Sequence, residues 1–199
     1  MNTTDAIRQY IKDHPDQIVD TAFLRKTMFP MAKEHTFIKT LTRLRDEGLV
    51  RVVDRGIYAP MTLPDDKLPD AIVRYYTDNA AGMVFGEALY CDLGLSEPTP
   101  TTIDIYTSRV TNGKNKKVMN YRLTGADIVF DKKAKDLVTL LELIENSDAL
   151  IERTSTKYSE TVKSLTSQDY TEELLAEITA SIPYKHSTIA TLRKLLGDS

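Results

Sequence analysis

Thr36, Lys39 and Arg43 stand three and four residues apart, a spacing that places all three on one side of an α-helix. Long donors on a helix whose other side is apolar suit the edges of base pairs in a DNA major groove. Arg43 is the expected base reader, since a guanidinium can donate two bonds to guanine, whereas Lys39 suits a base or a phosphate equally. Thr40 joins this set, and Lys33 and His35 stand at the start of the same segment, where phosphate could be reached. Arg51 and Arg55 follow in a β-rich stretch, the place where a hairpin meets the phosphate backbone or the minor groove. Asp54 beside Arg55 weakens that field. For each of these residues the alternative is a solvated surface or an ion pair with a nearby carboxylate.

A second basic cluster, Lys114, Lys116 and Lys117, follows the turn residues Asn112-Gly113, with Arg109 and Arg122 on either side. It is a candidate patch for an anionic partner, RNA or an acidic protein surface, if the strands bring these residues together. Other chemistries find little support. There is no P-loop, no GxSxG and no HExxH. Asp104 with Asp131-Lys132-Lys133 could bind a divalent ion and position a lysine, but such triplets are common. Glu87 and Cys91 lack a nearby histidine to make an acid and a nucleophile. The single cysteine and the scattered His14, His35 and His186 offer neither an internal disulfide nor a zinc site. No enzyme, no cofactor and no metal are expected.

The elements that must position the donors read clearly at the N-terminal end. Thr3 or Thr4 can cap a helix with Ala6, Ile7, Tyr10 and Ile11 inward, ending at His14-Pro15. A second helix starts after Asp20, turns Ala22, Phe23 and Leu24 inward and stops before Pro30. The third runs from about Glu34 to Glu47, with Phe37, Ile38, Leu41 and Leu44 inward and Gly48 as its C-terminal stop. LVRVV and GIYA then make two strands joined through Asp54-Arg55-Gly56, with Tyr58 packing the hairpin onto the helices. Three helices and a β-hairpin make a winged helix-turn-helix.

Pro60, Pro64 and Pro69, with Asp65 and Asp66 between, predict a linker and a boundary near residue 62. Two domains follow, residues 1–62 for DNA binding and residues 63–199 as a mixed α/β domain, α+β overall. In the second, helices are expected over Leu68–Asn79 and Met83–Leu93, the latter ending at Gly94, then an extended Pro98/Pro100 connection. Strands are expected over Thr102–Tyr106, Val118–Leu123 and Ile128–Phe130. A strong helix follows over Lys135–Ile151, and two amphipathic stretches close the chain, one around Tyr170, Leu174, Leu175 and Ile178, the other around Ile189, Leu192, Leu195 and Leu196 behind Ser187.

The formal net charge of −3 over 199 residues carries no global signature of nucleic-acid binding. Residues 1–60 hold ten Lys/Arg against eight Asp/Glu, and the remainder is acidic. Only the N-terminal third is positive, by a margin that matters if the cations share one surface. With 41% hydrophobic residues the chain can bury a core. No apolar run approaches the ~20 residues of a bilayer span, and Asp5 and Arg8 stand where a signal peptide would be apolar. No membrane association is expected, and the expected location is the cytoplasm.

The stretch FIKTLTRLRDEGLVRVVDRGIYAP resembles the recognition helix and wing of AbiE-type antitoxins, the abortive-infection antitoxins of type IV toxin-antitoxin systems. GEALYCDLGLSEPTPTTIDIYTSRV is similar to the segment that follows the linker in that family, and the two together cover roughly residues 20–130. The resemblance implies a transcriptional repressor that binds duplex DNA at its own promoter through the N-terminal domain. It also implies a C-terminal domain that opposes a nucleotidyltransferase-like toxin encoded alongside. A standalone relative would keep the first role and lose the second. The competing reading is a protein-interaction module that uses Met28, Phe29 and Met31 as an apolar patch.

Overall fold

The computed structural model describes residues 3–97 and 100–197, and the chain divides into two compact units, Met1–Tyr76 and Thr77–Ser199. The architecture is mixed α+β, with two small sheets. Pro98, in the connection expected to be extended, lies outside the described residues. Among the described residues no helix is long and apolar enough to cross a membrane.

The first unit opens with α1 (Thr3–Asp13), which buries Ile7 and Ile11 one turn apart and stops ahead of Pro15. A two-residue strand β1 (Val19–Asp20) leads into α2 (Thr21–Met28), and the Asp20 side chain caps α2 by accepting from the Ala22 and Phe23 N–H groups. Only Leu24 of the three residues expected inward on α2 is fully buried; Ala22 is exposed and Phe23 half-buried. Next comes α3 (Glu34–Asp46), which ends as its Gly48 suggests. Gly48 adopts φ +73, its N–H meets the Arg45 carbonyl at 2.9 Å, and the Leu49 N–H meets that of Leu44 at 2.9 Å. These two bonds fold the chain back over the helix end. The hairpin β2 (Val50–Asp54) and β3 (Ile57–Pro60) turns at Gly56 with φ +76, and β1 joins it in the antiparallel order β1-β3-β2. Ile7, Leu24, Phe37, Leu41, Leu44 and Val50 share one core, with Tyr58 packed against it.

The proline-rich stretch is not a tether, and the boundary lies after Tyr76 rather than near residue 62. Pro60 closes β3, Pro64 opens a 3-10 turn over Asp65–Lys67, and Leu63 is buried. Prolines here mark element ends, where a fixed φ costs nothing. The following helix, α4 (Leu68–Thr77), sets the Tyr75 ring edge-on to Phe23 at 6.3 Å and the Tyr76 hydroxyl 2.7 Å from Asp20. Those contacts place it in the first unit.

The second unit contains β4 (Gly82–Phe85), α5 (Glu87–Asp92), β5 (Ile103–Thr107), β6 (Asn115–Val118) and β7 (Tyr121–Gly125). Four helices follow: α6 (Lys132–Glu145), α7 (Ser147–Thr166), α8 (Glu172–Ser181) and α9 (His186–Gly197). The sheet runs β4-β5-β7-β6, with β5 and β7 parallel and the outer pairs antiparallel. Residues of α6 anchor the core with Met83, Tyr106, Ile178 and Leu192.

Four expectations change here. Met83–Phe85 pair with β5 as a strand rather than opening a helix, and Gly86 at φ +65 separates them from α5. Val118–Leu123 is a hairpin corner, with Met119 at φ +52 between β6 and β7. Ile128 and Phe130 are buried without forming a strand; the Phe130 N–H bonds the Ala80 carbonyl instead. The long C-terminal helix breaks at Asn146, and α7 continues to Thr166.

Candidate nucleic-acid interface

The buried residues of α3 are Phe37, Thr40, Leu41 and Leu44. At 100° per residue their common direction lies about 50° from Leu41, on the Thr40 side. The outward arc therefore rotates. His35, Thr36, Lys39 and Arg43 remain exposed, Ile38 comes out with 43% of its surface open, and Thr40 turns in at 6%. Thr40 spends its hydroxyl on the Thr36 carbonyl at 3.0 Å, so it leaves the candidate contact set. This correction and that of Ile38 have one cause: a β-branched threonine can satisfy its hydroxyl inside its own helix and then pack like valine.

The charges of α3 are unevenly committed. Arg43 Nε stands 3.6 Å from Glu47, whose carboxylate also takes Arg8 at 2.6 Å, and Arg45 donates to the adjacent Asp46 at 2.7 Å. Such exposed pairs are worth about 0–1 kcal/mol and exchange readily for a phosphate or a base. At the other end, Lys33 and His35 are exposed beside Glu34, and His35 Nε2 lies 3.3 Å from the Thr36 hydroxyl. Arg25 and Lys26, in the last turn of α2, add two cations outside the set expected from sequence. Their signal was the basic end of a short helix that leads into the α2–α3 turn.

On the hairpin, Arg55 is exposed at the tip, and its backbone N–H donates to Asp54 Oδ1 at 2.6 Å. Arg51 does not join it. Its guanidinium turns back to the Asp65 carboxylate and to the Leu63 carbonyl at 2.8 Å, fastening the segment after β3. The structure thus brings His35, Thr36, Lys39 and Arg43 onto one helix with Lys33 at its N-cap, holds Arg55 on the hairpin, and assigns Thr40 and Arg51 to internal contacts.

No protein-family model matches the chain, and no curated protein shows significant similarity to it.

The second basic cluster does not form one surface. Lys116 pairs in register with Leu123 and Lys117 with Arg122, so these neighbours project from opposite faces of the sheet. Arg122 donates through Nε and one terminal nitrogen to the two oxygens of Asp104, at 2.6 Å each, and this partner raises its pKa. Lys114 is exposed, in a loop that closes on Gly125, whereas Arg109 is half-buried. The Asp104 and Asp131 pair also dissolves as a metal site. Asp104 holds Arg122, and Asp131 caps α6 by accepting from the Ala134 N–H at 2.8 Å. Among the described residues no three His, Cys, Asp or Glu side chains gather to hold a metal ion. The Glu87 carboxylate accepts from the Ser96 hydroxyl, and Cys91 is half-buried.

One titratable group in the second unit stood outside every motif. Glu142 of α6 is 6% exposed and accepts from Tyr184 at 3.1 Å, Tyr106 at 3.3 Å and Tyr90 at 3.4 Å. Burial raises its pKa, the three hydroxyls partly offset that rise, and the nearby Glu145 charge adds to it. Burial and the facing carboxylate also push the three tyrosines well above the ordinary phenol value. Three hydroxyls from separate elements converge on one buried carboxylate, so the geometry describes a structural hub.

Proposed function

We propose that residues Met1–Tyr76 form a winged helix-turn-helix that binds duplex DNA, with α3 in the major groove and the β2–β3 hairpin against the backbone. The observation that carries this reading is the division of α3. One arc is packed by Phe37, Thr40, Leu41 and Leu44, while the opposite arc offers His35, Thr36, Lys39 and Arg43 to solvent. The element order α1-β1-α2-α3-β2-β3, with β1 closing the sheet beside the hairpin, supports it. The resemblance to AbiE-type antitoxins extends the reading: a repressor of its own promoter whose second unit opposes a nucleotidyltransferase-like toxin from the neighbouring gene.

The test is a titration of the full chain against duplex DNA from its own upstream region and against a scrambled duplex, at several salt concentrations. The upstream duplex should bind more tightly, and affinity should fall steeply with salt as counterions are released. Arg43→Ala should cost about 1–3 kcal/mol on the preferred duplex if Arg43 makes a bidentate base contact. Equal affinity for both duplexes would leave only nonspecific charge attraction.

A second reading has an observation of its own. Met31 is 95% exposed and Met28 58%, on either side of Phe29, which packs 5.6 Å from Phe37. A surface that binds a protein through these methionines would give an interaction largely insensitive to salt, with no preference among duplexes. Co-expression of the full chain with the product of the adjacent gene tests the antitoxin role, since rescue of growth with promoter binding lost would separate it from repression.

A further inference from the structure

Ile38 is the one large aliphatic side chain on the open arc of α3, exposed beside Lys39 and one turn ahead of Thr42. The Thr42 hydroxyl donates to the Ile38 carbonyl at 3.0 Å, which spends its one hydrogen and leaves its methyl and an accepting oxygen to offer. Ile38 and Thr42 together make a short apolar strip within a charged face. Alongside lies a hollow of about 230 Å³ between α2 and α3, lined by Thr21, Ala22, Arg25, Glu34, Phe37 and Ile38.

We infer that Ile38 reads the 5-methyl group of a thymine in the major groove, with Arg25 on the rim of the hollow positioned for a neighbouring phosphate. The inference rests on the DNA-binding reading given above and adds the identity of one base to it. Thymine is the only base that presents an apolar group in the major groove, so a branched aliphatic among donors discriminates by contact rather than by hydrogen bonding. The helix that precedes a recognition helix crosses the backbone, and α2 brings Arg25 to that edge. Ile38 does not serve the core here, because Thr40 and Leu44 fill the side on which an inward residue would sit.

Duplexes enriched by the full chain from a random library supply the probe, and each thymine is then replaced singly by deoxyuridine, which removes the methyl group alone. At one thymine the replacement should weaken binding about fourfold, the effect of one buried methyl. Ile38→Ala should bind the thymine and uridine probes alike, with Ile38→Val intermediate, and its thermal midpoint should stay near that of the parent because the side chain is partly open. The inference is overturned if every uridine probe binds the parent like its thymine counterpart, or if Ile38→Ala keeps the fourfold ratio. Should Ile38→Ala lose the fold, the ratio measured with Ile38→Val decides in the same way. Failure to enrich any duplex would instead overturn the DNA-binding reading, and this inference with it.

Discussion

The Tyr76 hydroxyl donates to Asp20 Oδ2 at 2.7 Å, while Asp20 Oδ1 accepts from the backbone N–H groups of Ala22 and Phe23 at 3.1 and 3.4 Å. One buried carboxylate therefore starts α2 and moors α4, although the two residues lie 56 positions apart. This contact, with the Tyr75 ring set against Phe23, ties α4 into the first unit.

Asp20→Ala should destabilise the first unit by about 2–4 kcal/mol, combining a lost helix cap with the loss of a buried hydrogen bond to Tyr76. Tyr76→Phe should cost about 1.5–3 kcal/mol, since it removes a hydrogen bond to a buried carboxylate. Urea unfolding followed by circular dichroism measures both. The double variant should cost less than the two singles added together, and strict additivity would show that the two side chains do not act on each other.

At the hairpin, Gly56 sits at φ +76, and a Cβ there would lie 3.0 Å from the Thr21 hydroxyl. Gly56→Ala should lower stability by about 1–2 kcal/mol from the backbone conformation alone. Adding Thr21→Ala should recover only the steric part of any excess. Full recovery in thermal melts would show that the turn does not need glycine.

Among the candidate contacts, Thr40→Val should leave DNA affinity within experimental error and change stability by less than about 1 kcal/mol, because the hydroxyl bonds only to the Thr36 carbonyl. Arg51→Ala should likewise leave the salt dependence of binding unchanged, since its guanidinium serves Asp65 and Leu63. A reduced salt slope for Arg51→Ala would return that residue to the interface.

The raised pKa of Glu142 gives a pH dependence of known sign. The folded unit holds that proton more tightly than the unfolded chain, so the contribution is fully present below the ordinary carboxylate value of 4.5 and is lost as pH rises through the folded value. Stability of the parent relative to Glu142→Gln should therefore improve on acidification toward pH 4.5, as read by denaturant midpoints. Glu142→Leu should cost about 2–5 kcal/mol by stranding the Tyr106 and Tyr184 hydroxyls, while Tyr90 keeps the residue-142 carbonyl at 3.4 Å and the Asn146 amide. The tyrosines act at the other extreme. Their raised values mean that stability falls as pH climbs above 10.0, where unfolded phenols ionise and folded ones do not.

The three N-terminal helices and the hairpin were legible because each carries its own signal: Asp20 ahead of α2, Gly48 after α3, Gly56 between two β-prone runs. What local pattern could not supply was pairing. Strand β1 has two residues, too few to alternate, and exists because Val19 and Asp20 meet Tyr58 and Ile57. Met83–Phe85 suits a helix or a strand by composition, and only β5 decides between them. The site was readable as a helix carrying donors, but its direction was not. An apolar stripe of Phe37, Ile38, Leu41 and Leu44 leaves out Thr40, whose hydroxyl finds its acceptor within the helix, and so counts Ile38 among the core residues. Glu142 carries no sequence signal for a related reason: its partners come from positions 36 to 52 residues away and leave no local mark.

The Glu142 hub has a consequence for the order in which the second unit comes apart. Its three donors belong to α5, to β5 and to the connection between α8 and α9, while the acceptor belongs to α6. A six-residue helix such as α5 cannot hold itself together in water, and its protection from solvent depends on what grips it. With Tyr90 held by Glu142 and by the Asn146 amide at 2.7 Å, opening α5 means breaking into the hub. Amide protons of α5 are thereby tied to the opening of α6, and they should exchange with deuterium as slowly as those of a helix more than twice their length.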